Sequence, residues 1–486
     1  MKNYREQLID GEMVEGHGPE FVSVNPYTEE PWAVFTEADE TDVDRAVVAA
    51  GRAFDAWRKT SGVERARLMN DLADAIERDI DHLAQVETND NGKIIRENRN
   101  QILFAARNFR FYAGYIDKIA GDVKTMDSYT TFDFTVHEPI GVCALITAWN
   151  SPLQLLSNKL PPALAAGNTA VIKPSEYTSA STLELARLAI EVGFPPGVVN
   201  VITGAGKTGG LLTAHPGVDK ISFTGGIETA KRIAAAAAAN IVPCSLELGG
   251  KSANIIFEDA PYEKAIAGAI GGIFAAAGQS CVAGSRLLVH ESLYERAVAD
   301  IAERASKIIL GSPQEESTQM GPIAFRAHYD KILEHIAHAV EDGSRLVSGG
   351  HPSSLGGLFI EPTVFADVDN SSRLAQNEVF GPVLAIIPFR DEAEAIAIAN
   401  DSRFGLAGGV WSKDITRALS VAKEIRSGIT YVNTYRASAA QAPSGGFKQS
   451  GYGRERGTEA LHDYTVVKST MVDLTDTVRD PFILGR

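Results

Sequence analysis

Two residues of this 486-residue chain have side chains that could perform covalent chemistry together, and glycines accompany both. Cys281 follows Gly278, and Glu247 precedes Gly249 and Gly250. A deprotonated thiol attacks a carbonyl carbon, and a carboxylate near it can activate the water that later frees the acyl group. Glycine is typical of positions where backbone approaches a ligand closely. The pattern favours a thiohemiacetal or thioester, although a lone cysteine is more often buried and a lone glutamate more often solvated.

Composition and charge narrow the class of protein. Hydrophobic residues make up 44% of the chain and charged residues 22%, which is typical of a globular protein. The length predicts two or three domains. A net charge of −16 disfavours nucleic acid and anionic lipid as partners, and no apolar run is long enough to span a membrane. With no apolar signal core and only three cysteines, Cys143, Cys244 and Cys281, we expect a cytoplasmic protein.

The hydrophobic pattern predicts an α/β fold. Amphipathic stretches over 42–57, 63–80 and 102–115 predict helices, which we expect to pack as one layer. From residue 139 onward, short apolar runs alternate with helical or loop segments, as in βαβ units on a parallel sheet. These runs cover 140–146, 169–172, 198–202 and 220–223, and a second alternation covers 253–257, 286–290, 383–388 and 429–433.

Two segments resemble phosphate-binding turns. The stretch from Gly204 through Gly206 to Gly209 matches a Gly-x-Gly-x-x-Gly string, but Val201 stands where a P-loop requires glycine. Asp219 lies only ten residues past Gly209, whereas a dinucleotide fingerprint has its acidic residue about 20 positions later. We therefore expect this segment only to border a cofactor. At 223–226 an apolar run ends in Thr-Gly-Gly before a predicted helix, whose N-terminus could accept pyrophosphate. A plain strand-to-helix turn explains this second segment equally well.

Seven blocks in register resemble the NAD(P)-dependent aldehyde dehydrogenase superfamily, of the hydrolytic, non-phosphorylating kind. The resemblance covers almost the whole chain. The blocks are Thr147-Ala-Trp-Asn-Ser-Pro152, Lys173-Pro-Ser-Glu176, Phe223-Thr-Gly-Gly226, Leu246-Glu-Leu-Gly-Gly-Lys251, Gly278-Gln-Ser-Cys281, Asn377-Glu-Val-Phe-Gly-Pro382 and Ser444-Gly-Gly-Phe-Lys448.

The resemblance implies a catalytic role for five residues. Cys281 would attack the aldehyde, and the Asn150 side-chain amide, with the backbone N–H of Cys281, would hold the oxyanion. Glu247 would activate the water that hydrolyses the thioester. Lys159 and Glu455 match positions associated with proton relay and site organisation, although a surface ion pair or a structural salt bridge explains them equally well.

The same resemblance implies NAD as the cofactor, with NADP possible. Lys173 and Glu176 would contact the adenosine ribose, and Glu378 the nicotinamide ribose; a carboxylate at Glu176 favours NAD because it repels a 2′-phosphate. The implied cofactor contacts are Trp149, Lys173, Ser175, Glu176, Gly206, Phe223, Thr224, Gly225, Gly226, Leu248, Gly249, Glu378 and Phe380. The chain departs from the family at Gly226, where serine is common, and at Ala230, where glycine is common.

The implied architecture has three parts. A Rossmann-like NAD-binding domain would comprise 1–120 and 139–246, and an α/β catalytic domain 247–445. A small β oligomerisation element would comprise 121–138 and 463–486, with its last strand near 465–473. The resemblance implies a homodimer or homotetramer without a metal ion.

The substrate-facing positions predict a wide, polar entrance, because Ser151, Asn158, Ala275 and Ser444 replace bulky aromatic residues. Arg436 could clamp a carboxylate, or it could be an ordinary loop arginine facing solvent. The predicted substrate contacts are Ser151, Leu155, Asn158, Ser280, Arg436 and Ser444. The expected substrate is a polar, functionalised aldehyde or a semialdehyde.

Other functions remain open at this level. The chain could act on aminoaldehydes or hydroxylactones. It could also pass its acyl group to coenzyme A, although relatives that transfer the acyl group to coenzyme A typically lack a glutamate at the position of Glu247. It could also be a catalytically silent homologue with a structural or binding role. The presence of Cys281, Glu247 and Asn150 together argues against that alternative.

Overall fold

The computed structural model describes residues 1–477 and 482. The strands are β1 (Lys2–Tyr4), β2 (Glu6–Ile9), β3 (Glu12–Glu15), β4 (Glu20–Val24), β5 (Pro31–Thr36), β6 (Val123–Lys124), β7 (Thr131–Pro139), β8 (Val142–Ile146), β9 (Thr169–Lys173), β10 (Val199–Val201), β11 (Lys220–Thr224), β12 (Cys244–Glu247), β13 (Ala253–Ile256), β14 (Arg286–His290), β15 (Arg345–Ser348), β16 (Thr363–Ala366), β17 (Val383–Phe389), β18 (Ala407–Trp411), β19 (Ile429–Val432), β20 (Gly451–Tyr452) and β21 (Thr465–Asp473). The helices are α1 (Glu40–Trp57), α2 (Gly62–Arg78), α3 (Ile80–Asn91), α4 (Ile95–Ala113), α5 (Pro152–Ser157), α6 (Leu160–Ala166), α7 (Ala180–Glu191), α8 (Gly206–Ala214), α9 (Ile227–Asn240), α10 (Tyr262–Phe274), α11 (Tyr294–Ala305), α12 (Arg326–Glu341), α13 (Arg373–Gln376), α14 (Glu392–Asn400), α15 (Ile415–Glu424) and α16 (Glu459–Asp463).

The first large sheet has the order β20-β12-β11-β8-β9-β10-β2-β3. Its five strands from β12 to β10 are parallel, and the antiparallel strands lie at its edges. All residues of β8 are buried, as expected for a parallel strand with helices on both faces. Val142 and Ala144 pack on one side of the sheet, and Cys143 and Leu145 on the other, because side chains alternate along a strand.

The prediction that the N-terminal helices form one layer is wrong. The apolar face of α1, with Val43, Ala46 and Val47, packs with α8 and α9 on the same side as Val142. Helices α2, α3 and α4 pack on the opposite side, with Leu145. The helices themselves agree with the prediction to within a few residues, except that α4 begins earlier. Strands β1 to β5 and helix α3 were not predicted.

The second large sheet has the order β15-β16-β17-β14-β13-β18-β19 and is parallel except for β15. The four strands predicted after Glu247 correspond to β13, β14, β17 and β19. Strand β18 was missed because Gly408 and Gly409 weaken its sequence pattern. Gly409 is required there, since a Cβ would lie 2.7 Å from the ring of Tyr435.

Two small sheets complete the fold. Strand β21 pairs with β7 over nine residues, and β6 pairs with the other edge of β7. Strand β21 is therefore the predicted last strand, and its partner β7 overlaps the other predicted part of the oligomerisation element, 121–138. Residues 478–481 and 483–486 of the predicted oligomerisation element lie outside the described residues. Strands β1, β5 and β4 form the other small sheet. Within the described chain, no helix is both long and apolar enough to cross a membrane.

Candidate active site

Four adjacent parallel strands bring distant residues to one edge of the first sheet. Strand β8 ends shortly before Asn150, while Lys173, Thr224 and Glu247 are the last residues of β9, β11 and β12. Parallel strands present their carboxyl ends at the same edge, where open α/β sheets bind ligands. The topology therefore gathers residues from four of the predicted blocks.

Cys281 lies in a constrained loop between α10 and β14. Ala276, Ala277 and Gly278 have φ values of 55°, 53° and 71°. Left-handed backbone at a non-glycine residue costs about 1–3 kcal/mol and persists only where the surroundings hold it. A Cβ on Gly278 would lie 2.0 Å from the carbonyl oxygen of Gly381. The chain beside the loop therefore fixes its shape and requires glycine at 278.

A second glycine places Glu247 near Cys281. A Cβ on Gly250 would lie 2.5 Å from the carbonyl oxygen of Cys281, so the chain leaving β12 passes directly against the cysteine loop. Glu247, Leu248 and Cys281 line the same cavity. The structure thus brings the predicted nucleophile and the predicted base into one enclosed space.

The cavity favours the neutral forms of both groups. Burial, together with the charges of Glu378, Glu247 and Glu455, raises the pKa of the Cys281 thiol to about 12. Burial and the neighbouring Glu455 carboxylate raise the pKa of Glu247 well above its usual value. Oε1 of Glu247 is buried and has no hydrogen-bond partner among the described residues. Once ionised, Glu247 is a strong base with one oxygen free to accept a proton.

Asn150 is held by a buried lysine. Its side-chain amide donates one hydrogen bond to the Gln279 carbonyl oxygen at 3.1 Å, which leaves its second N–H for another acceptor. Its own carbonyl oxygen accepts a hydrogen bond from Lys93, whose Nζ also donates to Ser151 at 2.8 Å and Gln101 at 2.7 Å. Burial lowers the pKa of Lys93 to about 8. Lys93 therefore fixes the turn that carries Asn150.

Lys159 and Glu455 form a buried ion pair. The Nζ–Oε1 distance is 2.5 Å, and the two side chains are 0% and 7% exposed. Lys159 also donates to Ser222 at 3.0 Å, and Asn158 donates to the other Glu455 oxygen at 3.1 Å. The surface ion-pair interpretation is wrong because both groups are buried. A structural salt bridge and a proton relay both remain open, and only Glu455 of the pair lines the cavity.

The cavity has a volume of about 270 Å³ and a polar wall. All six predicted substrate contacts line it, as do Asn150 and Glu455: Ser151, Leu155, Asn158, Ser280, Arg436 and Ser444. Ala275, which was predicted to face the substrate, is not among the described residues that line the cavity, whereas its neighbour Ala276 is. Tyr431 is the single aromatic residue among them. Most of the lining residues are polar, and the wide, polar entrance stays a prediction.

Lys173 and Glu176 lie at the same edge of the sheet. Lys173 is buried and donates to the carbonyl oxygen of Pro174 at 2.9 Å. Burial lowers its pKa, while the charges of Glu176 and Glu37 oppose that shift. Ser175 Oγ donates to the Glu176 carboxylate at 3.4 Å. Such a pairing of ammonium and carboxylate groups can hydrogen-bond the hydroxyls of a ribose.

The turn from β11 to α9 presents free backbone donors. Gly226 precedes the helix without a side-chain cap, and a Cβ on it would meet nothing within 4 Å. Gly225 packs on the ring of Phe223, where a Cβ would lie 2.4 Å away. Thr224 Oγ1 is buried and has no hydrogen-bond partner among the described residues. Gly206 lies at the exposed start of α8.

Glu378 and Phe380 reach the site from the segment before β17. The Glu378 carboxylate accepts a hydrogen bond from Gly250 N at 2.9 Å, and a Cβ on Gly249 would lie 2.0 Å from its other oxygen. Burial raises the pKa of Glu378 to about 7. The rings of Phe380 and Trp149 lie 5.3 Å apart, edge to face. Both large sheets therefore contribute to the site.

Sequence reasoning missed several cavity residues and one residue behind the wall. They are Gln101, Tyr431, Ser438 and Arg456 in the wall, and Lys93 behind it. The one available sequence signal was the position of Arg456 directly after Glu455. The others lie outside the seven blocks, and only the fold brings them to the cavity.

Comparison with known proteins agrees with this geometry. Residues 13–470 match the model of the aldehyde dehydrogenase family. The chain belongs to the aldehyde dehydrogenase family. It is 45% identical over 476 residues to the aldehyde dehydrogenase of Emericella nidulans, covering 97% of this chain and 95% of that protein. It is 42% identical over 469 residues to the betaine aldehyde dehydrogenase of Bacillus subtilis, covering 95% of this chain and 96% of that protein.

Solved structures of aldehyde dehydrogenases share the fold. A point mutant of betaine aldehyde dehydrogenase from Staphylococcus aureus, in complex with NAD+ and with a BME-modified cysteine, has a TM-score of 0.96 and 40% identity, covering 99% of both chains. A mutant aldehyde dehydrogenase from Bacillus cereus has a TM-score of 0.95 and 41% identity, covering 97% of both chains. The predicted family, enzyme class and α/β fold are confirmed. The domain boundaries and the role of each site residue stay predictions.

Proposed function

We propose that this aldehyde dehydrogenase oxidises an aldehyde to a carboxylic acid, with NAD as hydride acceptor and Cys281 as nucleophile. The observation that carries the proposal is the shared cavity of Cys281 and Glu247, in which one Glu247 oxygen has no partner among the described residues. A neutral thiol becomes nucleophilic when a neighbouring base removes its proton, and we assign that task to Glu247 because it shares the cavity.

The residues support a two-stage reaction. The Cys281 sulfur adds to the carbonyl carbon, and the free N–H of Asn150 and the backbone N–H of Cys281 stabilise the oxyanion; such a donor contributes about 3 kcal/mol. After loss of hydride, the substrate is a thioester of Cys281. Glu247 releases the thiol proton to solvent, and its carboxylate then takes a proton from the water that attacks the thioester carbon. The C–S bond breaks, the acid leaves and the sulfur recovers a proton.

The cofactor-side residues fit NAD. Thr224 Oγ1 has no partner among the described residues, and the uncapped start of α9 supplies N–H groups suited to a pyrophosphate. Lys173 and Glu176 would hold the adenosine ribose, and Glu378 the nicotinamide ribose. When bound, NAD supplies the acceptor for the hydride. The Glu176 carboxylate favours NAD over NADP, because it would repel a 2′-phosphate.

Betaine aldehyde, named in several relatives, fits this cavity poorly. A quaternary ammonium group binds best to an aromatic cage, and here Tyr431 is the one aromatic residue of the described wall. Arg436 and Arg456, which share that wall, would repel the cation.

A homo-oligomer and a cytoplasmic location also belong to the proposal. Strand β21 lies at the edge of its sheet and exposes Val467 and Met471, so another copy of the chain could pair with it and cover these side chains. The three cysteines are free thiols, which suits a reducing compartment.

The first test is absorbance of reduced nicotinamide with NAD or NADP and a panel of aliphatic, aromatic, amino and carboxylated aldehydes. We expect NAD reduction without coenzyme A, and no reduction by the Cys281→Ala variant. Persistent activity in that variant would exclude the covalent route, and a requirement for coenzyme A would favour acyl transfer.

The second test separates the two stages. Glu247→Gln should lower kcat by about 10²-fold or more, because a general base contributes roughly that factor. If Glu247 acts chiefly in hydrolysis, rapid mixing will show a burst of one reduced nicotinamide per site before a slow phase. Wild-type turnover in this variant would remove Glu247 from the mechanism.

A further inference from the structure

The wall of the cavity carries two arginines. Arg436 and Arg456 both line it, and neither has a carboxylate within 4 Å among the described residues. Most other arginines of the chain pair with acidic side chains, as expected in a protein with a net charge of −16. Two guanidinium groups without an acidic partner in a concave polar site indicate a site for an anion.

Arg456 is held in place by two serines. Its Nε donates to Ser444 at 3.0 Å, and its Nη1 donates to Ser438. A guanidinium carries five N–H groups, so three remain available after these two hydrogen bonds. Ser438 and Ser444 both line the cavity. They therefore orient the guanidinium and leave its charge uncompensated.

The neighbouring acidic groups do not neutralise this charge. Glu455 is paired with Lys159 at 2.5 Å, and the desolvated site favours the neutral form of Glu247. A further cation lies behind the wall, where Lys93 donates to Gln101 and Ser151. Arg436 and Arg456 therefore keep unpaired guanidinium groups in the cavity wall among the described residues.

We propose that Arg456, assisted by Arg436, binds a carboxylate on the substrate, and that the enzyme oxidises aldehydes which carry a carboxylate at the far end. This inference rests on the proposed function and specifies its substrate class. A planar guanidinium binds a carboxylate through parallel N–H donors. Arg456 and Arg436 are therefore specificity-determining residues.

The test compares substrates that differ only in charge. The aldehydes are 4-oxobutanoate, 5-oxopentanoate and 6-oxohexanoate, each beside its neutral methyl ester, with glyceraldehyde 3-phosphate and betaine aldehyde as phosphate and cationic probes. At least one free acid should exceed its ester about tenfold or more in kcat/KM, as expected for charge-assisted hydrogen bonds. Equal values for every pair, or a preference for the phosphate or the cation, would overturn the assignment.

Variants then locate the preference. Arg456→Gln should reduce the acid-to-ester ratio of kcat/KM about tenfold or more, mainly through KM, and Arg456→Lys should restore part of it. Arg436→Gln should cause a smaller reduction, because among the described residues Arg436 is held by one long hydrogen bond to the Gly271 carbonyl oxygen, at 3.4 Å, and by no side chain. The matched control is Arg390→Gln, a surface arginine paired with Glu394, which should leave the ratio unchanged. An unchanged ratio in Arg456→Gln would also overturn the proposal.

A binding measurement separates this proposal from the catalytic one. Calorimetry with Cys281→Ser and glutarate, a dicarboxylate that requires no turnover, should show binding that weakens about tenfold in the Arg456→Gln background. If no aldehyde is oxidised but glutarate binds in this manner, the proposed catalysis fails and the anion site stands. If neutral aldehydes are oxidised and glutarate does not bind, the anion site fails and the proposed catalysis stands.

Discussion

At the residue scale, the surroundings of Cys281, the proposed nucleophile, favour the thiol over the thiolate. The thiol of Cys281 and the carboxyl of Glu247 are both held towards their neutral forms by burial and by surrounding carboxylates. Reactivity therefore depends on moving a proton between them or on a change in the local charge. This differs from cysteine enzymes in which a neighbouring cation keeps the thiolate formed.

The pH dependence of alkylation tests this state. With a thiol pKa of about 12, iodoacetamide should modify Cys281 in the free enzyme at a rate that rises about tenfold per pH unit from pH 7 to 10. The sign follows from the thiolate, whose fraction grows as pH approaches the pKa from below. Mass spectrometry of the Cys281 peptide gives the rate. A plateau near pH 8.5, the ordinary thiol value, would contradict the burial effect.

Local sequence identified the reactive residues better than their support. Cys281, Glu247 and Asn150 could be named because their blocks carry a family pattern. Lys93 could not, because its role arises from contacts with residues more than fifty positions away, such as the Asn150 carbonyl. The orientation of Arg456 likewise depends on its hydrogen bonds to Ser438 and Ser444, which only the fold brings beside it.

At the element scale, buried strands were predicted well and short amphipathic strands were not. Strands β8, β9 and β11 are buried along their whole length, and the short runs of apolar residues within them were enough to predict them. The β2–β3 hairpin was overlooked, although Asp10 and Gly11 form its two-residue turn with φ values of 57° and 81°. An Asp-Gly pair is a strong hairpin signal, and from it the β2–β3 edge of the first large sheet could have been predicted.

The cysteine loop gives a prediction at this scale. Gly278→Ala should lower kcat about tenfold or more, because the new Cβ would overlap the Gly381 carbonyl at 2.0 Å in a left-handed conformation that costs about 1 kcal/mol or more. The measurement is steady-state kinetics beside thermal unfolding. Gly271→Ala is the control, since a Cβ there meets nothing within 4 Å and should leave activity intact. Equal activity of the two variants would show that the loop shape is unimportant.

At the scale of the whole molecule, the exposed β21 strand predicts how copies associate. Val467 and Met471 are 62% and 68% exposed. Substituting both with lysine should shift the mass measured by analytical ultracentrifugation from oligomer towards monomer, because two charges would be placed in an apolar interface. Val63→Lys, at a valine on α2 that is even more exposed, should leave the mass unchanged. A wild-type protein that sediments as a monomer would refute the proposed assembly.

The contact between Gly250 and the Cys281 carbonyl has a consequence for how this protein can be recombined. The polypeptide passes from the first large sheet to the second between β12 and β13, directly after Glu247, and Gly249 and Gly250 lie in that connection. In a chimera joined there, the first sheet would come from one protein and the cysteine loop from a relative. The chain at Gly250 would then have to fit closely against the relative's cysteine loop. We therefore expect the two large sheets to be inherited together. Recombination between related sequences should be tolerated in surface loops and selected against between β12 and β13.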